Sequence, residues 1–504
     1  MCFFVLGINL SLAFVMTIKR ILNILVFSGL LFGLIFSSCR KDETISTDPS
    51  FKLSFSTDSV MFDTVFTTMG SVTKKLMVYN PNNNSVVISK VKLAGGSNSP
   101  YRINFDGVSG TEVRDVEIAG KDSMYIFVRV TVDPVNGNLP LVVKDSILFE
   151  TNGNSQDVDL LAWGQDAHFI VADQHIDGLP PFSYIAKEGE QIHWVNDKPY
   201  VIVGYGVVDS AASLTVDAGC RVHFYNHAGL WVYRYGAIQV NGTLEEPVMF
   251  QGVRLEQEYQ DVPAQWDRIW INESDVNSEF NYAVIQNAII GIQAETLKSG
   301  LGNTLTLNNT KILNMQGWGI FTRFYSIVAN NLLVANCGSS LLNLTTGGNY
   351  SFKNCTFANY WSHDVRKDPL LHVSDYYIYY NNNEQLVYTG DLENAYFGDC
   401  ILEGNLENEI LMDKYPESSS TFNYQFDHSL LKNNQTQDEN YVNCLFNIDP
   451  LFIDYTVNDY HLDTLSPMIH QGIPMGNPVD LDGVNRSNLP DLGAYEWQPS
   501  TEEK

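Results

Sequence analysis

Positive charge is what this sequence has least of: 30 Lys and Arg stand against 58 Asp and Glu, a formal charge of −28. Binding a nucleic-acid backbone needs clustered cations that displace counterions, so nucleic acid is excluded as a partner. The same charge disfavours polyanionic glycans and anionic membrane surfaces unless a local basic patch or bound cations intervene. Charge of either sign is sparse, at 17% of residues, which argues against a long solvated helix or coiled coil. No Cys-x-x-Cys pair occurs among the 7 cysteines. Once Cys2 and Cys39 are assigned to a leader, Cys220, Cys337, Cys355, Cys400 and Cys444 remain, odd in number and widely spaced. They support neither a disulfide framework nor a zinc site and read as small buried hydrophobes. No metal and no cofactor is implied.

What is present is apolar sequence, 44% of 504 residues, enough for two or three domains with proper cores. The longest apolar stretch is at the start. Met16-Thr17-Ile18-Lys19-Arg20 is a short basic segment, Ile21 to Phe36 an apolar one, and Ser37-Ser38 precede Cys39. That order is a secretory signal rather than a membrane span. The alternative is an uncleaved N-terminal anchor helix. Residues 1–38 are the leader, with Met16 the expected true start, and 39–50 a Ser/Thr/Asp tether. A cysteine at the cut point resembles the lipobox of bacterial lipoproteins, although Phe36 stands where Leu is usual. The resemblance implies that Cys39 is acylated and anchors the chain to a membrane. Arg40-Lys41-Asp42-Glu43 behind it resembles the surface-export signal of some envelope lipoproteins, which implies an outer-membrane, surface-exposed location; the alternative is an ordinary solvated linker.

Residues 51–169 alternate as short strands: Val72 to Tyr79, Val86 to Leu93, Tyr125 to Val132 and Asp145 to Glu150, with Asn80 to Asn84 as one turn. About seven strands over that length predict an immunoglobulin-like sandwich. The order resembles Ig-like domains of the ASPM-SPD2-Hydin type, which implies a spacer or partner surface. No clustered titratable group here suggests catalysis.

From 170 to 444 the pattern becomes a repeat. Asn314, Asn336, Asn359 and Asn405 each end a short apolar run, at intervals of 22 or 23 residues or twice that. One coil of a parallel β-helix uses about this much chain. An Asn at a coil corner tolerates the left-handed conformation and can ladder with its counterpart in the next coil. Cys355 and Cys400 fall at one point of the repeat and are expected in one internal row. From about Ala186 to Trp497 the chain resembles right-handed parallel β-helix proteins. The likeness is carried by Leu214 to Phe224, by Ile238-Gln239-Val240-Asn241-Gly242-Thr243-Leu244, by Gly347-Gly348-Asn349-Tyr350, and by Ser466-Pro467-Met468-Ile469-His470-Gln471-Gly472 and Pro490 to Glu496 near the end. The last two resemble the C-terminal region of the choice-of-anchor Q kind, with His470 where Asp is usual. The fold class implied is all-β: an Ig-like sandwich followed by a right-handed, pectate-lyase-like solenoid. Residues 445–504 would cap its final coil, because a solenoid end exposes strand edges.

Many β-helix proteins cleave polysaccharides, and the resemblance implies that chemistry as one possible activity. Hydrolysis needs paired carboxylates. From Asn281 to Tyr360 the sole acid is Glu295 and histidine is absent, which excludes the polygalacturonase-like constellation there. A lyase needs a base and a cation to neutralise a uronate carboxylate. Lys311, Arg323 and Lys353 are scattered, whereas His363-Asp364-Val365-Arg366-Lys367-Asp368, followed by His372 and Asp375, is dense and interrupts the repeat. Loops of that kind often carry sites; an ordinary polar loop would look the same. Aromatic residues recur at Trp318, Phe321, Phe324 and Tyr325, at Tyr360 and Trp361, and at Tyr376, Tyr377, Tyr379 and Tyr380. Exposed, they would stack on the sugars of a neutral glycan; turned inward, they would fill the solenoid. Asp480-Leu481-Asp482-Gly483 begins like a calcium loop but lacks its later ligands and reads as an Asp–Arg486 network. Asp-Ser/Thr pairs such as Asp122-Ser123 resemble an O-glycosylation signal and equally suit a strand start. The reading is a lipid-anchored envelope protein, non-catalytic, whose β-helix binds a glycan or protein partner. Tyr360, Trp361, Asp364 and Arg366 are the binding candidates, with Trp361 as stacking platform. The alternative is a polysaccharide lyase using His363, Arg366 or Lys367.

Overall fold

The computed structural model describes residues 44–105, 107–133, 141–296, 304–381 and 384–499. The leader, Cys39 and the basic–acidic cluster behind it lie outside them. The chain is all-β, and among the described residues no helix is long and apolar enough to cross a membrane. Two compact units divide it. One gathers residues up to Phe62 with Thr68–Asp133 and Val142–Ala162, and the other is mostly Trp163 onward.

Alternation builds the first unit. In Ser123–Val130 the side chains of Ile126, Val128 and Val130 are buried while Tyr125, Phe127 and Arg129 face out, the period of two that a half-buried strand imposes. One five-stranded sheet runs Ser54–Phe55, Lys74–Tyr79, Ser123–Val130, Tyr101–Phe105, Val108–Gly110. The other runs Ser59–Phe66, Asn154–Gln165, Leu141–Thr151, Val86–Leu93, Glu112–Ile118. This is the Ig-like sandwich, with ten strands rather than about seven. The surplus includes Ser54–Phe55 and Val108–Gly110, edge strands too short to show alternation. Asn80 closes the expected turn: its Nδ2 donates to the carbonyls of Asn84 and Ile118 at 2.8 and 3.0 Å, and its Oδ1 accepts from the Asn82 amide.

The second unit is a parallel β-helix whose 26 strands join coil to coil. Each coil lays down up to three strands, so inward side chains stack on their counterparts one coil away. Phe352, Phe397 and Phe426 stack face to face at 5.0 and 4.8 Å, and Phe224 stacks on Trp266 at 4.1 Å. Cys355 and Cys400 are fully buried in one row, as their spacing predicts, and burial raises the Cys400 thiol well above its ordinary range. Cys220 and Cys337 are also buried and Cys444 is half-buried.

The asparagine ladder exists at a different corner from the one expected. Tyr282, Asn309, Asn331, Asn354, Asp399, His428 and Asn443 all take positive φ between 46° and 52°, each following a residue in register with its counterpart in the next coil. Asn331 Nδ2 donates to Asn309 Oδ1 at 2.9 Å, and Asn309 Nδ2 to Asn281 Oδ1 at 3.2 Å. Of the predicted set, Asn314 and Asn336 are left-handed, but they bond to Asp261 and Asn458. Asn359 is buried and accepts from the Cys337 amide, while Asn405 accepts from Arg366.

The segment after 445 runs along the side of the solenoid, a correction to its reading as an end cap. Tyr460, Leu481, Ala494 and Tyr495 pack on Leu313, Leu333, Ala335 and Ala358. Leu462, Met468 and Leu492 cover Ile401 and Leu430. The last coil, Tyr441–Val442 and Leu445–Phe446, stays half-buried. The carboxylate that pairs with Arg486 is Glu496, at 2.7 Å. Asp480 instead accepts the backbone amides of Asp482, Val484 and Glu496 and so holds the strap's turn.

Candidate functional site

The corner loop that looked like a site is tied into the fold. Arg366 is buried, and its guanidinium forms two hydrogen bonds with Glu409, one at 2.7 Å. It also donates to Asn405 Oδ1 at 2.8 Å and to the carbonyls of Asp368 and Asn359. Glu409 is fully buried and further accepts the amides of Leu370 and Leu406. Arg366 is therefore a structural cation, and its expected role toward a ligand is corrected. Trp361 is only 7% exposed and cannot be a stacking platform. Tyr360 is half-buried with its ring stacked on Tyr455 at 4.2 Å. His363, Asp364 and Lys367 remain exposed; the His363 ring lies against Trp361, and Asp364 accepts the Val365 amide.

A groove forms instead on one strand column of the solenoid. Strands Ile269–Ile271, Ile292–Glu295, the start of Ile320–Asn330, the start of Leu342–Lys353, Leu371–Ser374 and Ile410–Asp413 stack in parallel register. Ile292, Ile320, Leu342 and Leu371 point inward, so the next residue on each strand points out. The outward row is Trp231, Trp270, Gln293, Phe321, Asn343, His372 and Leu411. Two positions further along, Glu295, Arg323, Thr345, Ser374 and Asp413 form a second outward row.

An antiparallel hairpin, Tyr376–Asn381 with Glu384–Thr389, rises beside these rows. Together they enclose a groove of about 430 Å³ lined by Arg268, Trp318, Phe321, Arg323, Asn343, Thr345, His372, Tyr376 and Tyr377 among others. Gly347 leaves room for the chain that returns from the hairpin through Gly390 and Asp391. A Cβ on Gly347 would lie 2.3 Å from the Asp391 carbonyl oxygen, and Gly347 and Gly348 both take positive φ.

Both arginines of the groove are paired with carboxylates. Arg323 sits 3.8 Å over the Tyr377 ring and 3.5 Å from Glu295. Glu295 also accepts from Trp270 Nε1 at 2.9 Å and Gln293 Nε2 at 2.8 Å. Arg268 pairs with Asp267 at 2.8 Å and bonds Gln293. Burial holds His372 below its ordinary value, outweighing the opposite pull of Asp413 at 3.7 Å, so its imidazole is neutral at pH 7. The hydrogen bond from Tyr376 to Asp413, 2.6 Å long, pushes that phenol up to about 12, with burial adding to it. Asn343 Oδ1 and Arg323 Nε are buried and make no hydrogen bond to any described residue; His372 Nε2, on the register partner of Asn343, makes none either and has only Asp413 Oδ2 near it, at 3.7 Å.

This arrangement can stack rings and bond hydroxyls. It cannot hydrolyse through the row's carboxylates, because Glu295 and Asp413 stand four coils apart, roughly 19 Å at about 4.8 Å per strand. A glycosidase pair needs about 5–9.5 Å. Of the aromatic residues singled out in the sequence, Trp318, Phe321, Tyr376 and Tyr377 reach the groove, Tyr379 and Tyr380 are exposed on the hairpin, and Tyr325 is buried. His372 reaches it too, while Asp375 is buried under the hairpin's base, accepting the Tyr415 amide at 2.7 Å. Arg268, Gln293, Asn343, Thr345 and Ser374 had drawn no attention, and coil-by-coil register is the signal that unites them.

No protein-family model and no curated protein matches the chain. Among solved structures, similarity is found to the ASH/PapD-like domain 7 of human CEP192, with 14% identity, 26% of this chain, 98% of that chain and a TM-score of 0.17. A family 123 glycoside hydrolase from Clostridium perfringens shares 9% identity over 29% of this chain and 30% of that one, TM-score 0.17. A protein of unknown function from Porphyromonas gingivalis W83 shares 12% identity over 27% and 58%, TM-score 0.15.

Proposed function

We propose that this chain is a lipid-anchored, outer-membrane protein that binds a glycan in the solenoid groove without cleaving it. The observation that carries the reading is the groove floor. Aromatic faces at Trp318, Tyr376 and Tyr377 flank Asn343 Oδ1, a buried acceptor without a hydrogen bond to any described residue, and His372 Nε2, which has only the Asp413 carboxylate, at 3.7 Å. A sugar offers both halves of that surface, an apolar ring face for stacking and hydroxyls for unpaired acceptors. Acylation at Cys39 would hold the protein to the membrane and leave the groove free for its ligand. Screening the full chain on a glycan array, then comparing hits with Trp318→Ala, tests it. Binding should weaken by about 1–3 kcal/mol, the order of one stacking contact by analogy with base–aromatic stacking.

One observation favours a lyase as second reading: Arg323, Arg268 and a neutral imidazole at His372 line a single groove. An arginine would neutralise a uronate carboxylate while the imidazole removed the proton beside it. Every array hit should therefore be assayed for unsaturated product by ultraviolet absorbance. Product that disappears in His372→Ala would establish the lyase.

A further inference from the structure

The sandwich carries a second concavity, independent of the groove. Its sheet of Lys74–Tyr79, Ser123–Val130, Tyr101–Phe105 and Val108–Gly110 turns one face outward. On that face Arg102 and Arg129 stand directly opposite each other on antiparallel strands. Like charges in that position destabilise a sheet unless an anion lies between them.

The chain's other arginines make this pair unusual. Arg114, Arg234, Arg254, Arg268, Arg323, Arg366 and Arg486 each pair with a carboxylate. Among the described residues Arg102, Arg129 and Arg221 have none, in a protein with nearly two acids per base. Arg102 spends one nitrogen on the carbonyls of Ser99 and Tyr101, at 2.5 and 2.7 Å. The Arg129 side chain makes no hydrogen bond to any described residue and is exposed. Between them is a concavity of about 770 Å³, also lined by Asn104, Ser109, Phe127 and Thr131. Lys75 lies opposite Phe127 in register, its Nζ 4.9 Å from the centre of the Tyr125 ring.

We infer that this concavity binds an acidic sugar, its carboxylate or sulfate received by Arg129 and Arg102 and its ring laid on Phe127. The guanidinium fork matches a planar carboxylate in bidentate fashion, the exposed aromatic face takes the apolar side of a pyranose, and Asn104, Ser109 and Thr131 are within the same wall to meet hydroxyls. The local basic patch answers the repulsion that the overall charge imposes on anionic glycans.

The test titrates the full chain, in detergent, with a hyaluronan tetrasaccharide, N-acetylated chitotetraose and inorganic sulfate. The acidic tetrasaccharide should bind, more weakly as salt rises, and the neutral one should not compete at this site. Arg129→Gln and Phe127→Ala should each weaken binding about tenfold or more, with melting temperature unchanged for Arg129→Gln because that side chain makes no bond to any described residue. Arg221→Gln, which removes a cation outside this concavity, should bind as wild type. Absence of binding to the acidic tetrasaccharide overturns the proposal. So does full binding by Arg129→Gln, or sulfate binding as tightly as the tetrasaccharide.

Discussion

Replacing Arg366 by Ala should destabilise the solenoid while leaving ligand affinity intact. The substitution strands Glu409, which is fully buried and keeps only the amides of Leu370 and Leu406 once the guanidinium is gone. Removing one partner of a buried ion pair costs about 3–5 kcal/mol, most of it the price of the uncompensated charge. Domains are stable by about 5–15 kcal/mol, so the loss is a large fraction, and urea unfolding should detect it as a lower midpoint with little change in slope. Arg366→Met combined with Glu409→Leu removes both charges and should recover part of the loss. The remainder, about 1–3 kcal/mol, reflects the amides of Leu370 and Leu406 left without an acceptor. Wild-type stability in Arg366→Ala, or lost glycan binding by a fully folded Arg366→Ala protein, would refute the structural assignment.

Other outcomes follow from the same geometry. Cys39→Ala should release the protein from the membrane fraction, since two or more acyl chains are what hold such a domain firmly; a variant that still sediments with membranes contradicts the anchor. Burial lifts the Asp399 carboxyl to about 7 against two hydrogen bonds from the Ile473 amide. Its raised pKa contributes stability that is full below pH 3.8 and lost as the pH rises through about 7. Asp399→Asn, which suits its left-handed backbone, should flatten that part of the stability–pH curve, and an unchanged curve argues otherwise. Deleting Asp449 to Lys504 uncovers Leu313, Leu333, Ile401 and Leu430 along the solenoid flank, so light scattering should report aggregation. A monomeric, protease-resistant truncation would make the strap dispensable.

The architecture was legible because its signals repeat. Alternation in Val86–Leu93 located a sandwich strand, and intervals of 22 and 23 residues between asparagines announced coils. Which corner carried the ladder was not legible. Asn309, Asn331 and Asn354 recur at the same intervals as Asn314, Asn336 and Asn359, because successive coils have corresponding turns at both places. The groove was obscured for a related reason. Its outward row at Gln293, Phe321, Asn343 and His372 is separated by loops of unequal length, so no fixed period joins those residues until register does. Charge density misled in the opposite direction. Arg366 stood out on the corner loop, yet its partner Glu409 lies 43 residues away in sequence, and local reading cannot see that the pair neutralises itself. The strap's side-on course was equally hidden, since an apolar segment after the last repeat suits an end cap and a lateral brace alike.

The most direct measurement of the central claim compares two variants of the full chain on one glycan selected by the array. Trp318→Ala strips an aromatic face from the groove, and the double substitution His363→Ala with Lys367→Ala strips the exposed groups from the corner loop. Titration calorimetry should find affinity lowered by about 1–3 kcal/mol in the first and unchanged in the second. Wild-type affinity in Trp318→Ala together with lost binding in the double variant would contradict the groove and return the site to the loop.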